Sequence, residues 1–249
     1  MEDTVLEHIT KQNYSSPLDK SIFDQPHDEE IILCLNYDGL YGINNINRFL
    51  QQSNPNHAVL WGNHYYKVGD PILFNESNRF SPLIYNNMKG KIDRIEVLEG
   101  GWEILFDIEL EKPISGLDAD NYDFSLVEST PNGSSVIRFT VQKYKTTDED
   151  DDNTSSDIVP FQVAYAVSIH KAQGLEYESV KIVITDEVDE LISHNIFYTA
   201  ITRARSILKI YWSPEVGKRV LERFKSNDNN KDVALLKLCD PTLATISSS

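Results

Sequence analysis

The pattern of apolar and polar positions changes character twice along the chain. Near the start, Ile31-Ile32-Leu33-Cys34-Leu35 is short, continuous and partly β-branched, as a strand covered on both faces should be. Asp38-Gly39 and Gly42 then turn the chain, and Ile43, Ile46 and Leu50 follow at helical spacing. From about Tyr65 to Tyr144 the segments become short and alternating. Residues 91–97 and 103–108 alternate with period two on either side of Glu99-Gly100-Gly101, which predicts a hairpin, and 136–144 predict a further strand. After Pro160 the longer rhythm returns. It predicts strands over 163–169, 180–185 and 207–212, a helix over 196–205, and a last amphipathic helix after Pro214 with Val216, Val220 and Phe224 on one face. Residues 1–29 are polar and weakly periodic, with Pro17 and Pro26 as breakers, and predict a tether or a single helix.

Alternation of strands and helices favours a parallel sheet with helices on both faces. The simplest architecture is therefore one α/β domain built from residues 30–64 and 160–240, interrupted by a small β-barrel over 65–145. Residues 146–158, centred on Asp148-Glu149-Asp150-Asp151-Asp152, cannot bury apolar surface and predict an acidic, flexible loop. Residues 241–249 form a tail, and no internal repeat is apparent.

Composition narrows the class without naming a function. The chain has 249 residues, 40% hydrophobic and 25% charged, which is ordinary for a globular protein. No apolar run approaches the roughly 20 residues needed to span a bilayer, and Met1 opens no secretion leader, so no membrane partner and a cytoplasmic location are expected. Cys34 and Cys239 lack CxxC or His spacing, which argues against a metal knuckle and against a disulfide framework. His57 and His64 have no acidic or Cys partner at ligand spacing. The formal charge of −16 opposes nonspecific coating of nucleic acid, but it is uneven, and residues 160–225 are close to neutral.

Two segments carry candidate chemistry. In Tyr165-Ala166-Val167-Ser168-Ile169-His170-Lys171-Ala172-Gln173-Gly174-Leu175-Glu176-Tyr177 a strand ends in Ser and His, then passes a glycine where a ligand can approach backbone. In Phe197-Tyr198-Thr199-Ala200-Ile201-Thr202-Arg203-Ala204-Arg205 a helix would place Thr199 and Arg203 on one face, with the guanidinium fork free to reach a phosphate. Taken singly, His170 reads as a structural histidine, and Arg203 or Arg205 as a cation offsetting a helix dipole. Tyr198, Tyr211 and Trp212 read as core residues, with base stacking as the alternative.

Together these segments resemble motifs V and VI of superfamily 1 helicases, in order and at the usual separation. His170, Gln173-Gly174 and Thr202-Arg203-Ala204 resemble the RecD-like, 5′-to-3′ branch, as in the exodeoxyribonuclease V alpha subunit, with its UvrD-like helicase C-terminal domain. Residues 42–51 with Asn54-Pro55, then Tyr66-Lys67-Val68-Gly69-Asp70 and Asn78, resemble that family's motif IV region and its entry into the inserted domain. The resemblance covers roughly residues 30–213. It implies a RecA-like, P-loop-NTPase-type motor domain 2A interrupted by an SH3-like 2B barrel. It further implies that Arg203 is an arginine finger, a role worth about 10³ to 10⁵ in rate. Gln173, Gly174 and Glu176 would then face the nucleotide with Arg203. Ser168, His170 and Lys171 would touch single-stranded DNA, and Thr199 and Thr202 would bind DNA or couple the two sites. The cofactors implied are ATP and Mg²⁺ in the full-length enzyme, with none expected on this chain alone. The partners implied are single-stranded DNA and an N-terminal RecA-like domain.

The departures limit the expected activity. No GxxxxGK[ST] occurs, so the phosphate cradle and its lysine are absent from this sequence. Lys89-Gly90-Lys91-Ile92 has no glycine five residues before Gly90 and no hydroxyl after Lys91. Residues 180–187 imitate a Walker B strand, but they follow motif V instead of preceding it, so no metal is assigned to Asp186-Glu187. The expectation is half of an ATP-dependent DNA helicase motor, inactive alone. Two alternatives stay open: a non-catalytic nucleic-acid or protein binding module derived from a helicase, and part of an RNA helicase or nucleic-acid-stimulated ATPase.

Overall fold

The computed structural model describes residues 14–15, 20–25, 29–75, 79–98, 100–116, 122–129, 133–143 and 158–224. The acidic loop, the tail, Cys239 and Asn78 lie outside them, as does most of 1–29. The chain divides into two compact units, one drawn from residues 1–43 and 168–249 and the other Asn44–Val167. Residues 44–64 and 160–167, grouped from sequence with the α/β part, thus fall in the second unit.

The first unit is built on a five-stranded sheet. Its strands are β1 (Tyr14–Ser15), β2 (Glu30–Cys34), β11 (Ala166–Ser168), β12 (Tyr177–Val183) and β13 (Ala204–Tyr211), in the order β1-β13-β12-β2-β11; of β11 only Ser168 falls within the unit. The β1–β13, β13–β12 and β12–β2 pairings are parallel. Every residue of β2 is buried, as its uninterrupted apolar run predicts. Helix α2 (His194–Ile201) and a helix α3 over 214–224 belong to this unit. Ser193 caps α2 by accepting from the Ile196 amide (3.3 Å), and Ser213 does the same for α3 from Val216 (3.2 Å), just before Pro214. Val216, Val220 and Phe224 are all buried, as their spacing predicts.

Three local departures have physical causes. The described residues before Ile31 include β1 and a 3-10 turn, Lys20–Ile22, whose Ile22 is fully buried, so this part is packed into the fold. Lys181 in the middle of β12 fixes it there. Its buried ammonium pairs with Glu30 (2.7 Å) and donates to the carbonyls of Ile22 and Asp24, while Ser179 donates to the same carboxylate (2.7 Å). The second departure is α2, which ends at Ile201 with Thr202 as its C-cap. Ala204 and Arg205 open the next strand, and Arg205 pairs with Glu29. The third is the apolar run 163–169, which is two strands and not one. β10 (Phe161–Val163) joins the antiparallel sheet of the second unit, β11 joins the parallel sheet, and the Ala164 amide donates to Pro71 between them (2.8 Å).

The second unit contains α1 (Ile43–Ser53) from Asn44 onward and the hairpin β3 (Ala58–Trp61) with β4 (His64–Lys67). Its main sheet adds β5 (Pro71–Phe74), β6 (Lys89–Val97), β7 (Glu103–Leu110), β8 (Ser125–Ser129) and β9 (Ser135–Gln142) to β10. The order β10-β5-β6-β7-β9-β8 is antiparallel throughout. The β6–β7 hairpin expected around Gly100-Gly101 is present, with both glycines at positive φ. Alternate residues of β9 point into a core rich in aromatic rings, where Phe74, Phe80, Phe106, Phe139 and Phe161 meet mostly edge to face at 5.0–6.4 Å.

Two polar clusters hold this unit at its ends. Asn47 of α1 accepts from the Ala166 amide (2.8 Å) and donates to the Ala166 carbonyl (2.9 Å), an amide group acting as a short strand. Asp70 is fully buried and accepts four hydrogen bonds, from Gln51 (2.5 Å), Asn54 (2.9 Å), the Lys67 amide (2.8 Å) and the Tyr165 hydroxyl (2.8 Å). Tyr165 is shifted up beyond the ordinary phenol range by burial and by that carboxylate.

Candidate functional site

The residues singled out from sequence converge on the loop that joins β11 to β12 and on the end of α2. Ser168 closes β11 and is buried; its hydroxyl accepts from the Lys171 amide (3.3 Å), and its carbonyl accepts from Ala172 (3.2 Å). That turn throws His170 to the surface, with Lys171 half-buried beside it. Gln173, Gly174 and Glu176 are exposed. Gly174 sits at φ +84°, and nothing lies within 4 Å of where a Cβ would be, so backbone conformation alone selects glycine.

Arg203 connects this loop to the helix. It lies just beyond the C-cap, not on the helix face expected from the run 196–205, because α2 stops earlier. Its side chain folds back so that Nε donates to the Thr199 carbonyl (2.8 Å), Nη2 to the Thr202 hydroxyl (2.9 Å) and Nη1 to the Leu175 carbonyl (3.0 Å). The Thr202 hydroxyl in turn donates toward the carbonyls of Tyr198 (2.9 Å) and Thr199 (3.1 Å). The Arg203 carbonyl accepts from Tyr177 (2.9 Å). Thr199 and Thr202 therefore serve the arginine through backbone and hydroxyl oxygens. The cation neutralises helix-end carbonyls and fastens the loop between Gly174 and Glu176.

This arrangement can offer one wall to a phosphate: an exposed glycine turn, an adjacent carboxylate, and a guanidinium seated at Leu175. It cannot enclose one. Each of the three guanidinium nitrogens of Arg203 already has an oxygen partner in the chain. For Mg²⁺ the described residues offer no group of three or more His, Cys, Asp or Glu placed to hold an ion, and Asp186-Glu187 lie exposed after β12. Among the described residues no helix is long and apolar enough to cross a membrane.

Residues 163–211, which span this loop, α2 and β13, match the UvrD-like helicase C-terminal domain. RecBCD enzyme subunit RecD of Mycolicibacterium smegmatis is 24% identical over 198 residues, covering 79% of this chain and 27% of that protein. The segment that holds the candidate site is similar to the C-terminal region of RecD-like superfamily 1 helicases. The chain spans about a quarter of the length of the RecD relatives it matches. The ATP-dependent RecD2 DNA helicase of Deinococcus radiodurans is 38% identical over 52 residues, 21% of this chain and 7% of that protein. Among solved structures, Pif1 helicase from Candida albicans is 13% identical with a TM-score of 0.48, covering 90% of this chain and 54% of that one.

Three groups that the structure shows to be important carried little signal in the sequence. Asp70 was noticed only as part of a resemblance, although a carboxylate between Gly69 and an apolar strand invites a buried role. Lys181 carried a usable signal, since a lone cation inside an apolar parallel strand requires an acid nearby, here Glu30. Asp189 is buried and pairs with Arg219 (2.7 Å) and Arg223 (3.8 Å) of α3, a link that no spacing rule foretells. Of the aromatics assigned to the core, Tyr211 and Trp212 are buried, but Tyr198 is 54% exposed because it lies on the outer side of α2.

Proposed function

We propose that this chain is the C-terminal motor part of an ATP-dependent DNA helicase of the RecD-like, 5′-to-3′ type. Its first unit would act as the RecA-like domain 2A and its second as the SH3-like domain 2B. The observation that carries the reading is the Arg203 clamp, which joins the glycine loop of one motif to the helix end of the other within the segment matching a helicase family. In this reading His170 and Lys171 hold the backbone of single-stranded DNA beside Ser168, and Thr199 and Thr202 relay between strand and nucleotide. ATP with Mg²⁺ would supply the phosphoryl chemistry, together with an N-terminal RecA-like domain. Gln173, Gly174 and Glu176 would lie toward a bound nucleotide, and the Arg203 guanidinium would supply positive charge to its phosphates.

The experiment is mutational. In a polypeptide that also carries the ATP-binding domain, Arg203→Ala should cut turnover at saturating ATP by about 10³ or more while affinity for single-stranded DNA stays within a fewfold. Turnover unchanged by Arg203→Ala would remove the finger role. A second reading, a binding module without catalysis, is favoured by the complete internal use of the Arg203 nitrogens. It predicts that Arg203→Ala lowers stability alone, in this chain and in the longer one.

A further inference from the structure

The β3–β4 hairpin presents two large side chains outward, away from the aromatic core. Leu60 and Tyr65 are cross-strand partners, so they share one face, and they are 54% and 56% exposed. Their neighbours Trp61 and Tyr66 are buried on the opposite face. Gly62 at φ +58° opens the two-residue turn, leaving the tip bare, since nothing lies within 4 Å of its missing Cβ.

The hairpin is held rigidly from behind. Gln51 donates to the Tyr65 carbonyl (2.8 Å), Asn54 and Asn56 donate to the Val68 carbonyl (3.0 and 2.8 Å), and Lys67 Nζ donates to the Asn54 carbonyl (2.6 Å). Lys143 Nζ lies 5.0 Å from the Trp61 ring centroid. An exposed aromatic on so fixed a backbone loses little freedom when a flat ligand settles on it.

Charge identifies the ligand. The chain has 39 acidic residues against 23 basic ones, yet residues 39–69 contain no Asp or Glu at all. The same stretch holds Arg48, Lys67, His57 and His64. Asp70, which ends it, is fully buried and committed to its four donors. In a chain of net charge −16, this stretch sets no carboxylate of its own against a phosphodiester strand. The size of the patch agrees: one ring and one aliphatic neighbour match a base, and fall far short of the roughly 800 Å² per partner of a stable protein interface.

We propose that the Leu60–Tyr65 face of the β3–β4 hairpin is a stacking platform for an unpaired base of a single-stranded nucleic acid. This deepens the helicase reading above and rests on it: the hairpin takes a base without reading its sequence.

The test uses the 249-residue chain and fluorescein-labelled oligo-dT of about 12 nucleotides, read by anisotropy. Tyr65→Ala and Leu60→Ala should each weaken binding by about tenfold, by the same factor at about 50 and 200 mM salt, while Tyr65→Phe binds normally. Lys171→Ala should instead flatten the salt dependence. Thermal melts of the variants, whose changes lie on the surface, verify folding. Normal binding by Tyr65→Ala and Leu60→Ala, with weakened binding by Lys171→Ala, overturns the platform and leaves the helicase reading standing. No oligonucleotide binding by the unaltered chain overturns both. Hairpin variants that bind oligo-dT normally but lose self-association in sedimentation would assign the face to protein and overturn the platform.

Discussion

Asp70 shows how one side chain can hold a unit together. Its carboxylate draws α1, the β3–β4 hairpin and the residue between β10 and β11 onto one point. Asp70→Ala leaves its side-chain donors without an acceptor and should cost roughly 3 kcal/mol, measured by urea unfolding followed through tryptophan fluorescence. Cys34 makes a separate prediction about pH. Burial pushes its thiol from 9.0 up to about 12. Above about pH 9 the unfolded chain gives up this proton while the folded chain keeps it, so stability is whole below pH 9 and declines toward pH 12. At 1.36 kcal/mol per unit the loss approaches about 4 kcal/mol. Tyr66, pushed by burial from 10.0 to about 12, works in the same direction above pH 10. Cys34→Ala should therefore flatten the alkaline branch of a stability profile, and an unchanged slope would remove the thiol from the account.

At the scale of elements, Arg203 ties the loop between β11 and β12 to the end of α2 through the Leu175 carbonyl. Amide hydrogen exchange at Leu175 to Tyr177 should speed up in Arg203→Ala by tenfold or more, while α3 is unaffected. Gly174→Ala should cost about 1 kcal/mol, since φ is wrong for alanine although the space is open. Much at this scale was legible in the sequence. The buried strand at Ile31, the β6–β7 hairpin and the α3 face follow from periodicity alone. The sequence placed His170 and Gly174 just after a strand, where the loop lies, but it put Arg203 on a helix face, whereas Arg203 lies beyond the C-cap. What periodicity missed were boundaries decided by partners distant in sequence. The run 163–169 is evenly apolar, yet β5 takes its first residues and the parallel sheet its last. The end of α2 is set by Thr202 and the strand that follows, neither of which interrupts the apolar pattern.

For the molecule as a whole, the charge of −16 would confine the proposed contact with nucleic acid to small areas. With few cations available to the strand, the slope of log affinity against log salt should be shallower than about −2, given about −0.7 per phosphate neutralised. A steeper slope would require basic contacts beyond those assigned here.

The Asn47–Ala166 pairing has a consequence for how the chain is made. On a ribosome, β2 emerges long before the strand it must lie beside, because Ser179 and Glu30, which share a hydrogen bond, are 149 residues apart. Left as coil, the intervening chain would oppose that meeting through its closure entropy. Asn44–Val167 is continuous and can condense as soon as it is complete, and Asn47 then grips Ala166, next to its last residue. Were that unit to condense first, the Asn47–Ala166 pairing would shorten the 149-residue excursion that β2 and β12 must close.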